Sequence, residues 1–367
     1  MISRQEDLQK KMMQHAQIIV DHSVKVRPND NVLIRYEDYG LELAEKIAEL
    51  SSARGAIPMI YQVPSTFLRN IYKLTPEQNL SKLPRHLYSA VMASDVIVQI
   101  RGEKDLTSLK DVDKNKMHLR AMATKPISDV NATKRWCLTQ TPCPSYAKEA
   151  GMSLEKYEDF VYDAVLRDWK AEKKNLKVVE RLMDKTKEVR ILGRDTDLTL
   201  SIRGRKAFSD YGEKNMPGGE VFTTPVENSA TGYISFDLPI ISSGNEASGI
   251  RLEFSQGRVV NYKADVGQDF LKSQIETDEG SHRLGEFAIG MNNGIKRFTK
   301  NILFDEKMGG TIHDALGQGF PFCRGKNESA IHMDMIKTME DGELLFDDKV
   351  VMRDGYLVIP PQERQDD

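Results

Sequence analysis

The chain has 367 residues, of which 40% are hydrophobic and 29% charged, a composition that can bury a sizeable core in two domains. Its formal net charge of -3 gives no broad attraction for phosphate backbones or anionic lipid, so we expect neither nucleic acid nor membrane surfaces as partners. The N-terminus is polar and no apolar run reaches the roughly 18 residues of a membrane span. We therefore expect a cytoplasmic protein.

Apolar, β-branched runs alternate with helical patterns from residue 31 onward. In chain order these are a strand at 32–34, a helix at 41–50, and strands at 57–63, 96–100 and 136–138. Strands that alternate with helices predict βαβ units and a mainly parallel sheet. The sequence thus predicts an α/β N-terminal domain over residues 1–200.

The character of the sequence changes after a predicted pair of helices between Ser153, a candidate N-cap, and Lys187. Short alternating strands with frequent glycines follow, at 197–202, 250–254 and 259–262. Gln256-Gly257 and Asp354-Gly355 predict hairpin turns, the second joining 350–352 to 356–359. We predict an α+β C-terminal domain over residues 201–367, with the boundary between residues 188 and 208.

His332 and Asp334 lie two residues apart in a segment that alternates like a strand, so both side chains point to one face. An imidazole and a carboxylate on one face form a natural metal-binding corner. For an isolated pair, a histidine that hydrogen-bonds a neighbouring carboxylate for structural reasons is the more common explanation.

Glu306 and His313 flank the flexible turn Gly309-Gly310, where separate side chains can converge. This segment is a second possible metal-binding corner. The alternative is a loop that carries a solvated acidic pair, Asp305 and Glu306, together with a half-buried histidine.

Glu220 and Glu286 each follow a glycine and precede apolar strand sequence, which predicts that both carboxylates are partly buried. A buried charge needs a partner. A metal ion is one such partner, and a buried arginine such as Arg203 or Arg251 is the alternative.

Four acids and two histidines together make a mixed oxygen and nitrogen ligand set, which suits zinc, cobalt or manganese. Two such ions close together can lower the pKa of a shared water, polarise a carbonyl group and stabilise the oxyanion that develops on it. This combination of residues is suited to amide hydrolysis.

Four segments in order resemble the aminopeptidase T (leucyl aminopeptidase T) family of thermophile-type metallo-aminopeptidases. They are residues 215–225 (NMPGGEVFTTP), 285–290 (GEFAIG), 309–317 and 329–334. By this resemblance the metal ligands are Glu220, Glu286, Glu306, His313, His332 and Asp334, with Glu286 bridging two divalent ions. The resemblance also implies a homodimer, a dinuclear site in the C-terminal domain, and substrates that are short peptides with a free N-terminus.

One position departs from the family. Seven residues after its first ligand histidine the family often has a tyrosine that is thought to assist catalysis, and this chain has Phe320. Gln318 and Arg324 are the nearby residues that could replace the missing donor. The prediction is a metal-dependent aminopeptidase that acts through a metal-bridging hydroxide. The alternative, motivated by Phe320, is a catalytically impaired family member that serves as a dimeric binding or structural module.

Overall fold

The computed structural model describes residues 3–242 and 245–358, which divide into two compact units. The first comprises the described residues up to 169 together with 211–218, and the second comprises residues 170–210 together with the described residues from 219 onward. The domain boundary predicted at residue 200 concerns domains that fold separately, and it stays a prediction. The return of residues 211–218 to the first unit has a physical cause, because two of them add a strand to its sheet.

The first unit is α/β, as the alternating pattern predicts. Its elements are α1 (Arg4–Ile18, continued by a π-helical turn Ile19–Ser23), β1 (Asn31–Tyr36), α2 (Leu41–Ala53), β2 (Ile57–Gln62), α3 (Ser65–Leu74), α4 (Glu77–Leu80), α5 (Arg85–Ala93), β3 (Val96–Arg101), α6 (Lys114–Thr133), β4 (Arg135–Gln140), α7 (Pro144–Glu149) and α8 (Leu154–Val165). The strands form a parallel sheet in the order β2-β1-β3-β4-β8, where β8 is Asn215–Met216.

The second unit is mainly antiparallel. Its elements are α9 (Trp169–Lys185), β5 (Glu188–Gly193), β6 (Thr196–Ser201), β7 (Phe208–Asp210), β9 (Glu220–Thr223), β10 (Thr231–Phe236), β11 (Ile240–Ser242), β12 (Asn245–Ala247), β13 (Ile250–Ser255), β14 (Arg258–Lys263), α10 (Gln268–Ile275), β15 (Leu284–Gly290), α11 (Ile302–Asp305), β16 (Thr311–Gly317), β17 (His332–Thr338), β18 (Glu343–Phe346), β19 (Lys349–Arg353) and β20 (Tyr356–Leu357).

Two larger sheets organise this second unit. One has eight strands in the order β14-β13-β10-β6-β5-β18-β19-β20, and the other has five in the order β17-β16-β15-β9-β7. Every residue of β15 and β16, the two neighbouring inner strands of the five-stranded sheet, is buried. Phe287 of β15 contacts Phe346 of β18 with ring centroids 6.3 Å apart, so one face of the five-stranded sheet packs on the larger sheet.

The predicted turns and caps are confirmed where the structure describes them. The side chain of Ser153 accepts a hydrogen bond from the amide of Lys156 and caps α8. Gln256-Gly257 joins β13 to β14 and Asp354-Gly355 joins β19 to β20, although residue 359 of the predicted last strand lies outside the described residues. No helix in the described part of the chain is long and apolar enough to cross a membrane.

His15 lies fully buried in the first unit, although the sequence around it indicates no special role. The hydroxyl of Thr139 donates to the carbonyl of Met216, so His15 Nε2–H must be the donor in its 2.8 Å contact with Thr139 Oγ1. Burial lowers the pKa of His15 to about 3, because charging the ring would place a cation among apolar groups.

This depressed pKa predicts a pH dependence of stability. The unfolded state takes up a proton near pH 6.5 and the folded state does not, so the contribution of His15 is present above pH 6.5 and is lost as the pH falls toward 3. Between pH 7 and pH 5, wild type should lose roughly 2 kcal/mol more unfolding free energy than His15→Gln. Urea unfolding at both pH values measures this, with the exposed histidine variant His118→Gln as the control. Equal losses in wild type and His15→Gln would contradict the account.

Candidate metal centre

The five-stranded sheet brings five of the six predicted ligands onto one face. In the register of the sheet, Glu220 of β9 lies opposite Gly290 of β15, and Glu286 of β15 lies opposite Ala315 of β16. His313 of β16 lies opposite Ala288 of β15. His332 and Asp334 of β17 lie opposite Gly317 and Ala315 of β16. Because residues directly opposite share a face, all five side chains project from the same side.

The cross-strand neighbours of these side chains are small. Each of the five faces a glycine or an alanine on an adjacent strand, so little side-chain volume separates one polar group from the next. The sequence analysis proposed these candidate ligands without this signal, because strand register cannot be read from local pattern. The small residues leave space above the sheet into which all five side chains can turn.

Two groups of candidate ligand atoms result, and Glu286 belongs to both. Glu220, Glu286 and His313 form one group, and Glu286, His332 and Asp334 form the other, with ligand atoms within 4.8 Å of one another in each. His313 Nε2 lies 3.5 Å from Glu220 Oε2 and 3.7 Å from Glu286 Oε1. His332 Nε2 lies 2.9 Å from Glu286 Oε2 and 3.3 Å from Asp334 Oδ1.

Glu306 stands apart from these groups. It follows α11 and forms an ion pair with its neighbour Lys307, whose ammonium also lies 3.4 Å from Glu220. Lys307 is completely buried, and sequence reasoning missed it. The proposed arginine partners do not serve this cluster: Arg203 is exposed and Arg251 pairs with Glu253.

The loop that carries Glu306 is held by a buried aspartate. Asp305 accepts hydrogen bonds from the amide and hydroxyl of Thr299, at 2.9 and 2.8 Å, and from the amide of Asn301 at 2.8 Å. The alternative of a solvated acidic pair is therefore wrong for Asp305, which is almost fully buried. Burial also raises its pKa to about 7, although these hydrogen bonds oppose the shift.

The pKa values of the carboxylates in the cluster shift in two directions. Burial raises the pKa of Glu220 to about 8 despite the charge of Lys307, and burial likewise raises the pKa of Glu306. Burial acts in the same direction on Glu286 and Asp334, but hydrogen bonds from the histidines outweigh it and hold both pKa values below their usual range.

The histidines show the reciprocal effect. Burial disfavours the charged rings, yet the hydrogen bond to Glu286 and the surrounding carboxylates raise the pKa of His313 to about 9. Asp334 and Glu286 raise the pKa of His332 to about 11 in the same way. Without a bound cation, the protons on these rings therefore supply the positive charge that the carboxylates require.

Backbone contacts orient the ligands. His332 Nδ1 lies 2.8 Å from the carbonyl oxygen of Gln318, to which it donates, so Nε2 faces the carboxylates. Gly219, with φ of +118°, precedes Glu220, and a Cβ there would lie 2.6 Å from the side chain of Asn292. Any other residue at position 219 would therefore displace the strand that presents Glu220.

The residue at the family's tyrosine position lies against this cluster. The Phe320 ring is 5.1 Å from the ring of His332, centroid to centroid. The two residues suggested as replacement donors make other hydrogen bonds. The amide of the Gln318 side chain donates to the carbonyl of Gly319 and accepts from the backbone amide of Ser329. Arg324 donates to the carbonyl of Gly204.

The residues present fit a divalent cation. Four carboxylates, three of them in close contact with the two histidines, face a single lysine, so the cluster lacks positive charge. Oxygen and imidazole ligands suit zinc, cobalt and manganese, and the second ring nitrogen of His332 has the backbone acceptor typical of a metal-binding histidine.

Comparison with known proteins shows that the chain belongs to a class of metal-dependent hydrolases. The family model described as thermophilic metalloprotease (M29) matches residues 8–356, and the chain belongs to this family. The family is one of hydrolases and implies a divalent metal cofactor.

Named relatives agree with the family assignment. Aminopeptidase 2 of Geobacillus stearothermophilus is 25% identical, covering 89% of this chain and 92% of that protein. Aminopeptidase T of Thermus thermophilus is also 25% identical, covering 78% and 83%. The solved structure of AmpT from Thermus thermophilus has the same fold, with a TM-score of 0.84, 22% identity, and coverage of 95% of this chain and 99% of that one.

Lys307 provides a test of the charge balance in the cluster. Replacing it by methionine removes a buried cation from between Glu220 and Glu306, so the metal-free protein should lose about 3–5 kcal/mol of unfolding free energy. Denaturant unfolding at pH 8 in the presence of a chelator measures the loss. Lys300→Met is the matched control, because its 3.2 Å pair with Glu246 is exposed and should contribute about 1 kcal/mol or less. Similar losses in the two variants would contradict a structural role for Lys307.

Proposed function

We propose that the protein is a dinuclear metallo-aminopeptidase that removes the N-terminal residue from short peptides. The observation that carries this proposal is the pair of ligand groups that share Glu286 on one face of the five-stranded sheet. A carboxylate with one oxygen in each group is placed to bridge two ions. The family and its aminopeptidase relatives support the same reaction class.

In this proposal each side chain has a separate task. Glu220 and His313 would hold one ion, His332 and Asp334 would hold the other, and both groups would share Glu286. Glu306 is the least secure ligand, because it lies outside both groups and is paired with Lys307. When bound, two divalent ions of zinc, cobalt or manganese would supply hydroxide near neutral pH and polarise the scissile carbonyl group.

The protein's own residues then bind and orient the peptide. A cavity of about 170 Å³ adjoins His332 and Asp334, and its other walls include Ile240, Phe298 and Ile336. An engineered apolar cavity of roughly 150 Å³ binds benzene, so this space can hold one apolar side chain. We assign it to the first residue of the substrate, whose free amine then lies beside the carboxylates.

The remaining sequence predictions stand as proposals. A homodimer, a cytoplasmic location and a preference for short peptides follow from the resemblance or the composition, and light scattering of the purified protein tests the first. The alternative of a catalytically impaired binding or structural module is not favoured, because the relatives reported above are named as aminopeptidases.

Metal dependence and the role of Glu286 are tested together. A chelator should abolish hydrolysis of leucyl dipeptides, and added divalent metal should restore it. Glu286→Gln should retain fewer than two ions per chain by elemental analysis, and its kcat/KM should fall at least about 100-fold, since metal polarisation contributes several kcal/mol. The control is Glu279→Gln, which alters an exposed carboxylate. Chelator-resistant hydrolysis would overturn the enzyme proposal, whereas bound metal without turnover would favour the binding module.

A substitution at Phe320 tests whether an added hydroxyl raises catalytic activity. Its ring lies against His332, so Phe320→Tyr places a hydroxyl beside the proposed reaction centre. One oxyanion donor is commonly worth about 100-fold in kcat or more, and we expect kcat to rise at least about tenfold with little change in KM. Phe322→Tyr is the control, because that ring stacks on Phe320 but does not contact His332. If the two variants behave alike, the phenol at this position has no catalytic task here.

A further inference from the structure

A large cavity lies within the first unit, among residues that take no part in the proposed peptidase chemistry. Its volume is about 790 Å³, and it lies between one face of the parallel sheet and helices α3, α5 and α6. Small-molecule sites in proteins span roughly 300–1,000 Å³ and are mostly apolar with a few polar groups. The cavity matches this description, with Leu33, Phe67, Leu87 and Ile127 among its apolar walls.

The two faces of the sheet differ in packing. Val32, Ile34 and Val98 point to one face, and their exposed fractions are 1% or less. On the other face Leu33 and Ile97 are also buried, at 1% and 3%, in a packed cluster with Val91. The space opens over the edge strand β2, where Met59 is 50% exposed. Protein interiors are normally close-packed, so an unfilled space of this size against a sheet is unusual. The space therefore lies beside a packed core and does not replace it.

The charged groups that line the cavity are cationic. Arg35 and Arg120 contribute to the wall, and no described lining residue is an aspartate or a glutamate. Arg120 has no ion-pair partner among the residues that the structure describes. Arg35 donates to Gln99 at 3.2 Å and reaches Glu37 only at 3.7 Å, which leaves part of its guanidinium group available.

The cavity lies beside strands β1 and β3 of the parallel sheet. In the strand order β2-β1-β3-β4, the connections leave β1 and β3 in opposite directions, which makes this pair the switch point of the sheet. Open parallel sheets bind ligands at the carboxyl ends of the strands at such a point. Arg35 and Gln99, near the carboxyl ends of β1 and β3, both line the cavity.

We infer that this cavity binds a small amphipathic organic anion, with an apolar body between the sheet and the helices and a carboxylate held by Arg35 and Arg120. Asn131 also lines the cavity and adds a polar side chain to its wall. The site is separate from the metal centre, since every lining residue belongs to the first unit and every metal-ligand candidate to the second.

Octanoate and octanol are matched probes, because they share an apolar tail and differ in charge. Calorimetric titration of the full-length protein should show saturable binding of one octanoate per chain, with octanol bound at least tenfold more weakly. Arg120→Gln should weaken octanoate at least tenfold and leave octanol unchanged. Arg85→Gln should change neither, because Arg85 is exposed on α5 and does not line the cavity.

Two cavity-filling variants locate the site. Ala90→Phe on α5 and Ser128→Leu on α6 occupy the space from different helices, so each should abolish binding of both probes. Circular dichroism and dipeptide hydrolysis show whether the variants are folded. If the wild-type protein hydrolyses no dipeptide, circular dichroism alone reports folding and the binding test is unaffected. Equal affinity for octanoate and octanol would overturn the anionic class of ligand. Unchanged octanoate binding in the filled variants, or no saturable binding at all, would overturn the site.

Discussion

The constraint on which the structure depends is the burial of carboxylates on one face of a sheet with too little positive charge beside them. Glu220 and Glu286 are buried carboxylates, which are among the costliest groups to remove from water. Lys307 is the one fully buried cation in contact with this cluster among the described residues. The strands place these groups where a cation is required. The raised pKa values of His313 and His332 express the same deficit, because the surrounding carboxylates favour positive charge on the rings.

The sheet explains how such a cluster can be rigid. Its inner strands β15 and β16 are buried along their whole length, and their opposite face packs against the eight-stranded sheet through contacts such as Phe287 with Phe346. Glycine and alanine stand opposite the ligands, and Gly219 allows β9 to approach Asn292. Sites built on strands are held more closely than sites built on loops. Glu306 is the exception, because it depends on a loop fastened by Asp305.

Much of this arrangement could be predicted from the sequence. Period-two alternation put His332 and Asp334 on one face, and the βαβ rhythm predicted the parallel sheet of the first unit. Lys307 was missed because a lysine beside a glutamate reads as surface sequence, and only tertiary burial turns it into a counter-ion. The strand formed by residues 215–216 was also missed, since its partner β4 lies more than seventy residues away in the chain. Non-local pairing leaves no local pattern.

The fold and the metal centre thus support different parts of the account. The family assignment carries the reaction class, and the geometry around Glu286 carries the proposal that two ions take part. The anion site proposed in the first unit depends on neither of them, because it is inferred from the cavity, its charged groups and the strand order of that unit.

The most direct test of the central claim is anomalous X-ray diffraction from crystals of the protein grown with zinc or cobalt. The account predicts two anomalous peaks per chain on the ligand face of the five-stranded sheet, one on either side of the Glu286 carboxylate, with His313 contacting one ion and His332 the other. A single peak would contradict the dinuclear centre, and peaks that lie away from these residues would contradict the site itself.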